Sequence, residues 1–214
     1  MPTITTLDPE RREGRIRLAV DGREIGTLPA SFVLQRGLRT GQPLDEAELE
    51  ALLRDGAGAL AMEAALHCLA YRPRSRMELE RHLRRKSHPP DAILHAISRC
   101  QKLGYLDDEA FARAFVRDRI RLRPRGRFRL RSELRERGIA PDVADASIEA
   151  AFEETGVSEQ ELLRGIAEAR AFRLRQAEPA SARRRLSSWL LRRGFSRSDV
   201  RRVVEDLLPE SDPD

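Results

Sequence analysis

A segment that returns 51 residues later constrains this chain more than any other feature, because a repeated core pattern is buried by stacking copies of one structural unit. Arg72-Pro73-Arg74-Ser75-Arg76 recurs as Arg123-Pro124-Arg125-Gly126-Arg127, and the same offset carries Leu79 to Leu130, Leu83 to Leu134, Asp91 to Asp142 and Ile97 to Ile148 without a gap. A third copy, a further 56 residues on, takes Leu130 to Leu186, Leu134 to Leu190 and Gly138 to Gly194. Beyond that glycine one residue is added, where Ser196-Arg197-Ser198-Asp199-Val200 replaces Ala140-Pro141-Asp142-Val143.

The apolar spacing makes each copy helical. Met62, Ala65, Leu66 and Leu69 fall at i, i+3, i+4 and i+7, as do Ile93, Ala96, Ile97 and Cys100, and Val200, Val203, Val204, Leu207 and Leu208 continue the pattern. Ser75 with Glu78 reads as a capping box, and Gly104, Gly138 and Gly194 stand where helices stop. The expected helices are 60–71, 75–86 and 90–103, then 108–122, 126–137 and 141–153, then 158–176, 181–193 and 197–208.

The first sixty residues differ. Thr3–Leu7, Arg15–Val20 and Arg23–Leu28 are β-like, and Asp21-Gly22 between the last two is a hairpin signal, since both residues of such a turn take positive φ. Residues 30–38 and 45–55 read as helices, the second opened by a capping box from Asp45 to Glu48, and Gly56-Ala57-Gly58 reads as a joint. The expected fold is therefore mainly α: three tandem three-helix repeats in an extended array, with a small N-terminal β-hairpin plus helix module. The expected domains are 1–58, 59–104, 105–155 and 156–214, the last ending in an acidic tail.

Charge is blocked along the chain. Residues 117–137 hold ten arginines and three acids, residues 181–202 eight arginines and one acid, and residues 141–161 seven acids with no Lys or Arg. This pattern predicts two basic faces separated by an acidic one. Arg127, Arg131 and Arg135 are spaced four apart on a helix whose other side carries Leu130 and Leu134, and Arg117 and Arg121 join them from the preceding helix. Guanidinium forks suit phosphates and carboxylates. The candidate binding residues are Arg117, Arg121, Arg125, Arg127, Arg131 and Arg135 in the second repeat and Arg184, Arg185, Arg192 and Arg193 in the third. Trp189, beside Leu190, reads as core rather than as a platform for stacked bases, so contact with nucleic acid is expected at phosphate and to be salt-sensitive.

Other chemistries find little support. Phosphate-loop, dinucleotide, zinc-protease and serine-hydrolase motifs are missing from the sequence, so no enzyme and no cofactor is expected. Cys68 and Cys100 lie on core stripes without metal-ligand spacing, so no metal is expected, and Asp107-Asp108-Glu109 reads as a helix start. Two unpaired cysteines, no leader-like N-terminus and no long apolar run lead to the expectation of a cytoplasmic protein with no membrane contact.

Two motifs then carry a resemblance. Ala65-Leu66-x-x-Leu69-Ala70-Tyr71-Arg72-Pro73-Arg74-Ser75-x-x-Glu78-Leu79, followed by Leu103-Gly104-Tyr105-Leu106-Asp107-Asp108-Glu109-x-Phe111-Ala112, resembles the RecX family, regulators of the bacterial recombinase RecA. The likeness runs through all three repeats. It implies a curved array of helix-turn-helix-like repeats lying, as a monomer, in the groove of a RecA filament on single- or double-stranded DNA. It implies inhibition of recombinase activity in homologous recombination, DNA repair and the SOS response. Under it, the ten arginines become candidate DNA and filament contacts. The chain departs from the pattern at Ser87-His88-Pro89-Pro90, where a Gly-aromatic turn is common, and in the arginine content of its second repeat. Two other readings are a helix-turn-helix transcription regulator, which needs polar base-reading side chains that these arginine-crowded helices lack, and a helical scaffold with no nucleic-acid role.

Overall fold

The structure, a computed structural model, describes residues 1–10 and 14–209. The chain divides into two compact units, Met1–Asp107 and Asp108–Asp214.

The first unit opens with β1 (Ile4–Pro9), β2 (Arg15–Val20) and β3 (Arg23–Pro29), an antiparallel sheet in sequence order. Asp21 and Gly22 take φ of +49° and +77° at the β2–β3 turn, the left-handed pair that the Asp-Gly dipeptide predicts. Ile4, Leu18, Val20 and Leu28 of the sheet pack on Phe32 of α1 (Ala30–Arg36) and on Leu44 and Leu52.

One expectation is corrected here. Gly56-Ala57-Gly58 is not a break between two helices: α2 runs unbroken from Glu46 to Tyr71. Asp45 and Glu48 start it with the reciprocal bonds of a capping box. The two glycines cost about 1 kcal/mol each in helix propensity, yet packing overrides them. Gly56 is buried against β3, where a Cβ would lie 2.3 Å from Leu28 Cδ2, so a side chain at that position would push Leu28 aside. Arg15–Glu63 (3.1 Å) and Arg36–Asp55 fasten β2 and α1 to the same helix.

The far half of α2 belongs to the first repeat, with α3 (Arg76–Arg85) and α4 (Pro90–Lys102). In the second unit, α5 (Asp108–Leu122), α6 (Arg127–Arg135) and α7 (Pro141–Thr155) form the second repeat, and α8 (Glu159–Leu174), α9 (Pro179–Arg192) and α10 (Arg197–Leu207) the third. The repeat is a repeat of core. Leu79, Leu130 and Leu186 are fully buried, as are Leu83, Leu134 and Leu190 one turn later, each anchoring a middle helix in its own apolar cluster. Cys68 and Cys100 are buried in the first of these clusters, and that burial pushes both thiols up.

The corner after each middle helix shows what the repeat demands of the backbone. Gly138 and Gly194 have φ of +78° and +85°, and each donates its N–H back to the preceding turn at 2.9 Å. The first repeat makes the same corner with Ser87, whose φ is +60° and whose N–H reaches Arg84 O at 2.9 Å. A side chain in that left-handed region costs about 1–2 kcal/mol. Among the described residues, no helix is long and apolar enough to cross a membrane.

Candidate functional site

The exposed side of α6 carries the predicted row, but two of its three arginines are engaged. Arg127 pairs with Glu149, and Arg131 with Asp145. Both acids lie on α7, four residues apart, so i, i+4 arginines of α6 meet i, i+4 carboxylates of α7 in reverse order. Arg117 of α5 likewise meets Glu154 at 2.8 Å. The acidic segment is therefore not a separate face between two basic ones; it folds back along the first basic block, residues 117–137, and pairs with it. Most of these side chains reach solvent, and such pairs stabilise by about 0–1 kcal/mol each. For Arg135, on the same row, and Arg121, near the end of α5, the described residues offer no ion-pair partner within 4.0 Å.

Glu159, the first residue of α8, has two tasks at the start of α6. It accepts from the Arg127 backbone N–H at 2.8 Å and lies 3.2 Å from the Arg127 guanidinium. Gly126, the N-cap residue, has no side chain to do this, so a carboxylate from the next repeat satisfies the helix end and opposes its dipole. The Arg127 guanidinium also stacks 4.8 Å over the Phe152 ring.

The acid that matters most inside the arginine block was hidden by simple charge counting. Glu133 is 5 % exposed, and its carboxylate accepts from Arg119 Nε at 2.8 Å and Arg129 Nε at 3.1 Å, with Arg125 Nε 3.6 Å away. Burial works to raise its pKa, but the hydrogen bonds and charges of Arg119 and Arg129 prevail and hold the carboxyl below the ordinary glutamate range. Three guanidiniums on one carboxylate leave a local surplus of positive charge.

The second and third repeats meet backbone to backbone. Gly126 N–H donates to Arg193 O at 2.9 Å and Phe128 N–H to Gly194 O at 3.2 Å, while Arg193 Nη1 donates to Pro124 O at 2.9 Å. A Cβ on Gly126 would fall 2.3 Å from Gly194 O, and one on Gly194 2.3 Å from Arg129 N, so neither position tolerates a side chain without the seam opening. Trp189 is half-buried on the third core, as expected of a core residue, but its ring also carries Arg193 at 4.1 Å and Arg170 at 5.5 Å. Arg170 was not among the predicted residues.

The predicted arginines thus fall into separate groups. Arg117, Arg127 and Arg131 are paired with acids of α7, and Arg125 and Arg193 belong to the seam between repeats. Arg184 and Arg185 are exposed on α9, and Arg192 is exposed at its end. Among the described residues, no group of three or more His, Cys, Asp or Glu gathers at metal-binding range.

Three consecutive three-helix units, each with a middle helix anchored by the same two leucines and turned by the same left-handed corner, define a tandem three-helix-repeat protein with arginine-rich second and third units. Family models describing the first, second and third three-helix domains of RecX match residues 61–100, 107–148 and 158–204 in that order. The chain belongs to the RecX family. Regulatory protein RecX of Chlorobaculum tepidum is 31% identical over 156 residues, covering 73% of this chain and 93% of that protein. Regulatory protein RecX of Lactobacillus delbrueckii subsp. bulgaricus is 28% identical over 216 residues, covering 100% of this chain and 78% of the relative. A crystal structure of regulatory protein RecX superposes with a TM-score of 0.70 at 24% identity, covering 96% of this chain and all of that one. RecX from Lactobacillus salivarius does so with 0.60 at 23% identity, covering 71% of this chain and 96% of that one. At these identities the two structures speak to the fold alone.

Proposed function

We propose that this chain regulates the RecA recombinase, binding the recombinase filament and its DNA and mainly inhibiting recombinase activity in homologous recombination and DNA repair. The observation that carries the reading is the match of three RecX domains, in order, to the three repeats. The relatives bear the name of a regulatory protein and not of an enzyme, and the role of this chain is accordingly one of binding.

Arginine chemistry supports the DNA arm of the proposal. Arg121, Arg135, Arg184, Arg185 and Arg192 present guanidiniums to solvent, and Arg117 and Arg131 hold acids in half-exposed pairs weak enough that a phosphate would exchange for them. Binding of this kind is to backbone phosphate, independent of sequence and steeply weakened by salt. The deciding experiment measures DNA-dependent ATP hydrolysis and strand exchange by the recombinase of the same organism, with and without this protein. Falling rates as the protein is added are expected. Unchanged rates at every stoichiometry would sink the proposal.

A further inference from the structure

The seam between the second and third repeats holds a cleft of about 470 Å³ into which Arg123, Arg125, Arg170, Arg173 and Arg193 all face, beside Trp189. Two of these arginines were predicted as binding residues; of the other three, Arg123 directly follows α5, and Arg170 and Arg173 lie on α8. Among the described residues, one carboxylate comes within 4.0 Å of these five guanidiniums. It is Glu133, which lies 3.6 Å from Arg125 Nε and is already bonded to Arg119 and Arg129. The Nε atoms of Arg125, Arg170 and Arg193 are buried with no hydrogen-bond partner among the described residues. Burial, and then the charges of Arg125 and Arg170, hold the Arg193 guanidinium below its ordinary range. Desolvated like charges of this kind are relieved by an anion.

We propose that this cleft is a phosphodiester subsite that seats the backbone of a nucleic-acid strand. The inference rests on the DNA-binding reading above and assigns it a location away from the α6 row. A strand brings one negative charge per nucleotide and so answers several guanidiniums at once, whereas one carboxylate of a protein partner answers one. The Trp189 ring is already taken by Arg193 and Arg170. Bases therefore do not stack on it, and the contact is to backbone and blind to sequence.

Trp189 is the sole tryptophan of the chain and lines the cleft, so its emission reports on this site directly. The intact 214-residue chain is titrated with a dodecameric oligothymidylate, with its uncharged methylphosphonate counterpart, with inorganic pyrophosphate and with an oligoglutamate peptide. A saturable change in Trp189 emission is expected with the oligothymidylate and none with the methylphosphonate. The double variant Arg123→Gln/Arg173→Gln, which changes two exposed positions and leaves both stacked arginines in place, is expected to weaken binding at least tenfold. Its salt dependence should fall by about one to two in log–log slope. Circular dichroism checks that it is folded, and Arg173→Gln alone repeats the measurement if it is not.

Binding of a labelled oligothymidylate by anisotropy, with Trp189 silent and the variant indistinguishable from wild type, would overturn the cleft assignment while leaving DNA binding elsewhere on the chain intact. A response to pyrophosphate or to oligoglutamate without one to the oligonucleotide would overturn it too. The recombinase assay judges the regulatory reading separately.

Discussion

Glu133→Gln tests the arginine hub of the second repeat. The substitution keeps the side chain's shape and one acceptor oxygen but removes the charge that Arg119 and Arg129 both bond. Removing one partner of a fully buried ion pair costs about 3–5 kcal/mol. Here the three arginine side chains are 23%, 27% and 43% exposed, so water screens part of the loss. The retained amide oxygen offsets more, which leaves about 2 kcal/mol, or a Tm lower by roughly 6–12 °C for a unit of this size. Urea unfolding at about pH 7 measures it, with Glu153→Gln on the exposed side of α7 as a control expected to cost under about 0.5 kcal/mol.

The pH dependence carries the sharper check. Because the Glu133 carboxyl is held below its ordinary value of 4.5, its contribution is complete above that value and is lost as pH falls through the folded-state pKa beneath it. The gap between wild type and Glu133→Gln should therefore narrow in acid below about pH 4.5. A variant as stable as wild type at neutral pH, or a gap that stays constant into acid, would refute the account of a charge-stabilised hub.

Two further substitutions probe the backbone demands of the repeat. Ser87→Gly should raise stability by about 0.5–1 kcal/mol in urea melts, since it gives the first repeat the left-handed corner residue of the other two, less the entropy that glycine adds to the unfolded chain. Gly194→Ala should cost about 2–3 kcal/mol and broaden the amide signals of residues 125–129, because a Cβ would press on the Arg129 backbone at a φ of +85°.

What the sequence disclosed and what it hid divide along physical lines. The helices of the repeats were legible because their signals are local. Leu79 and Leu83 recur at a fixed offset, Asp45 and Ser75 cap their own helices, and glycines end others. The continuity of α2 was not legible, because two glycines in three residues speak locally for a joint, and the contact that overrules them is with Leu28, far back in the chain. Charge partners were hidden for the same reason. Which acids meet Arg127 and Arg131 depends on the faces that α6 and α7 turn to each other, although the matching spacing of Asp145 and Glu149 was a usable hint. Arg123, Arg170 and Arg173 went unpredicted because their common property is a cleft that forms only when the second and third repeats dock.

The unbroken helix α2 alters what counts as a module in this chain. Leu52 is buried in the cluster beneath the sheet and Ala61 and Ala65 in the cluster of the first repeat, so one rigid rod of about 39 Å supplies a wall to two cores. Neither core keeps its wall if the rod is cut, and a shortened chain beginning after Gly58 would start inside a helix, with the turns that steady it removed. The first repeat is one of three by ancestry of pattern, but by cooperativity it is bound to the sheet: the two should protect their amides from exchange together and lose that protection in a single step.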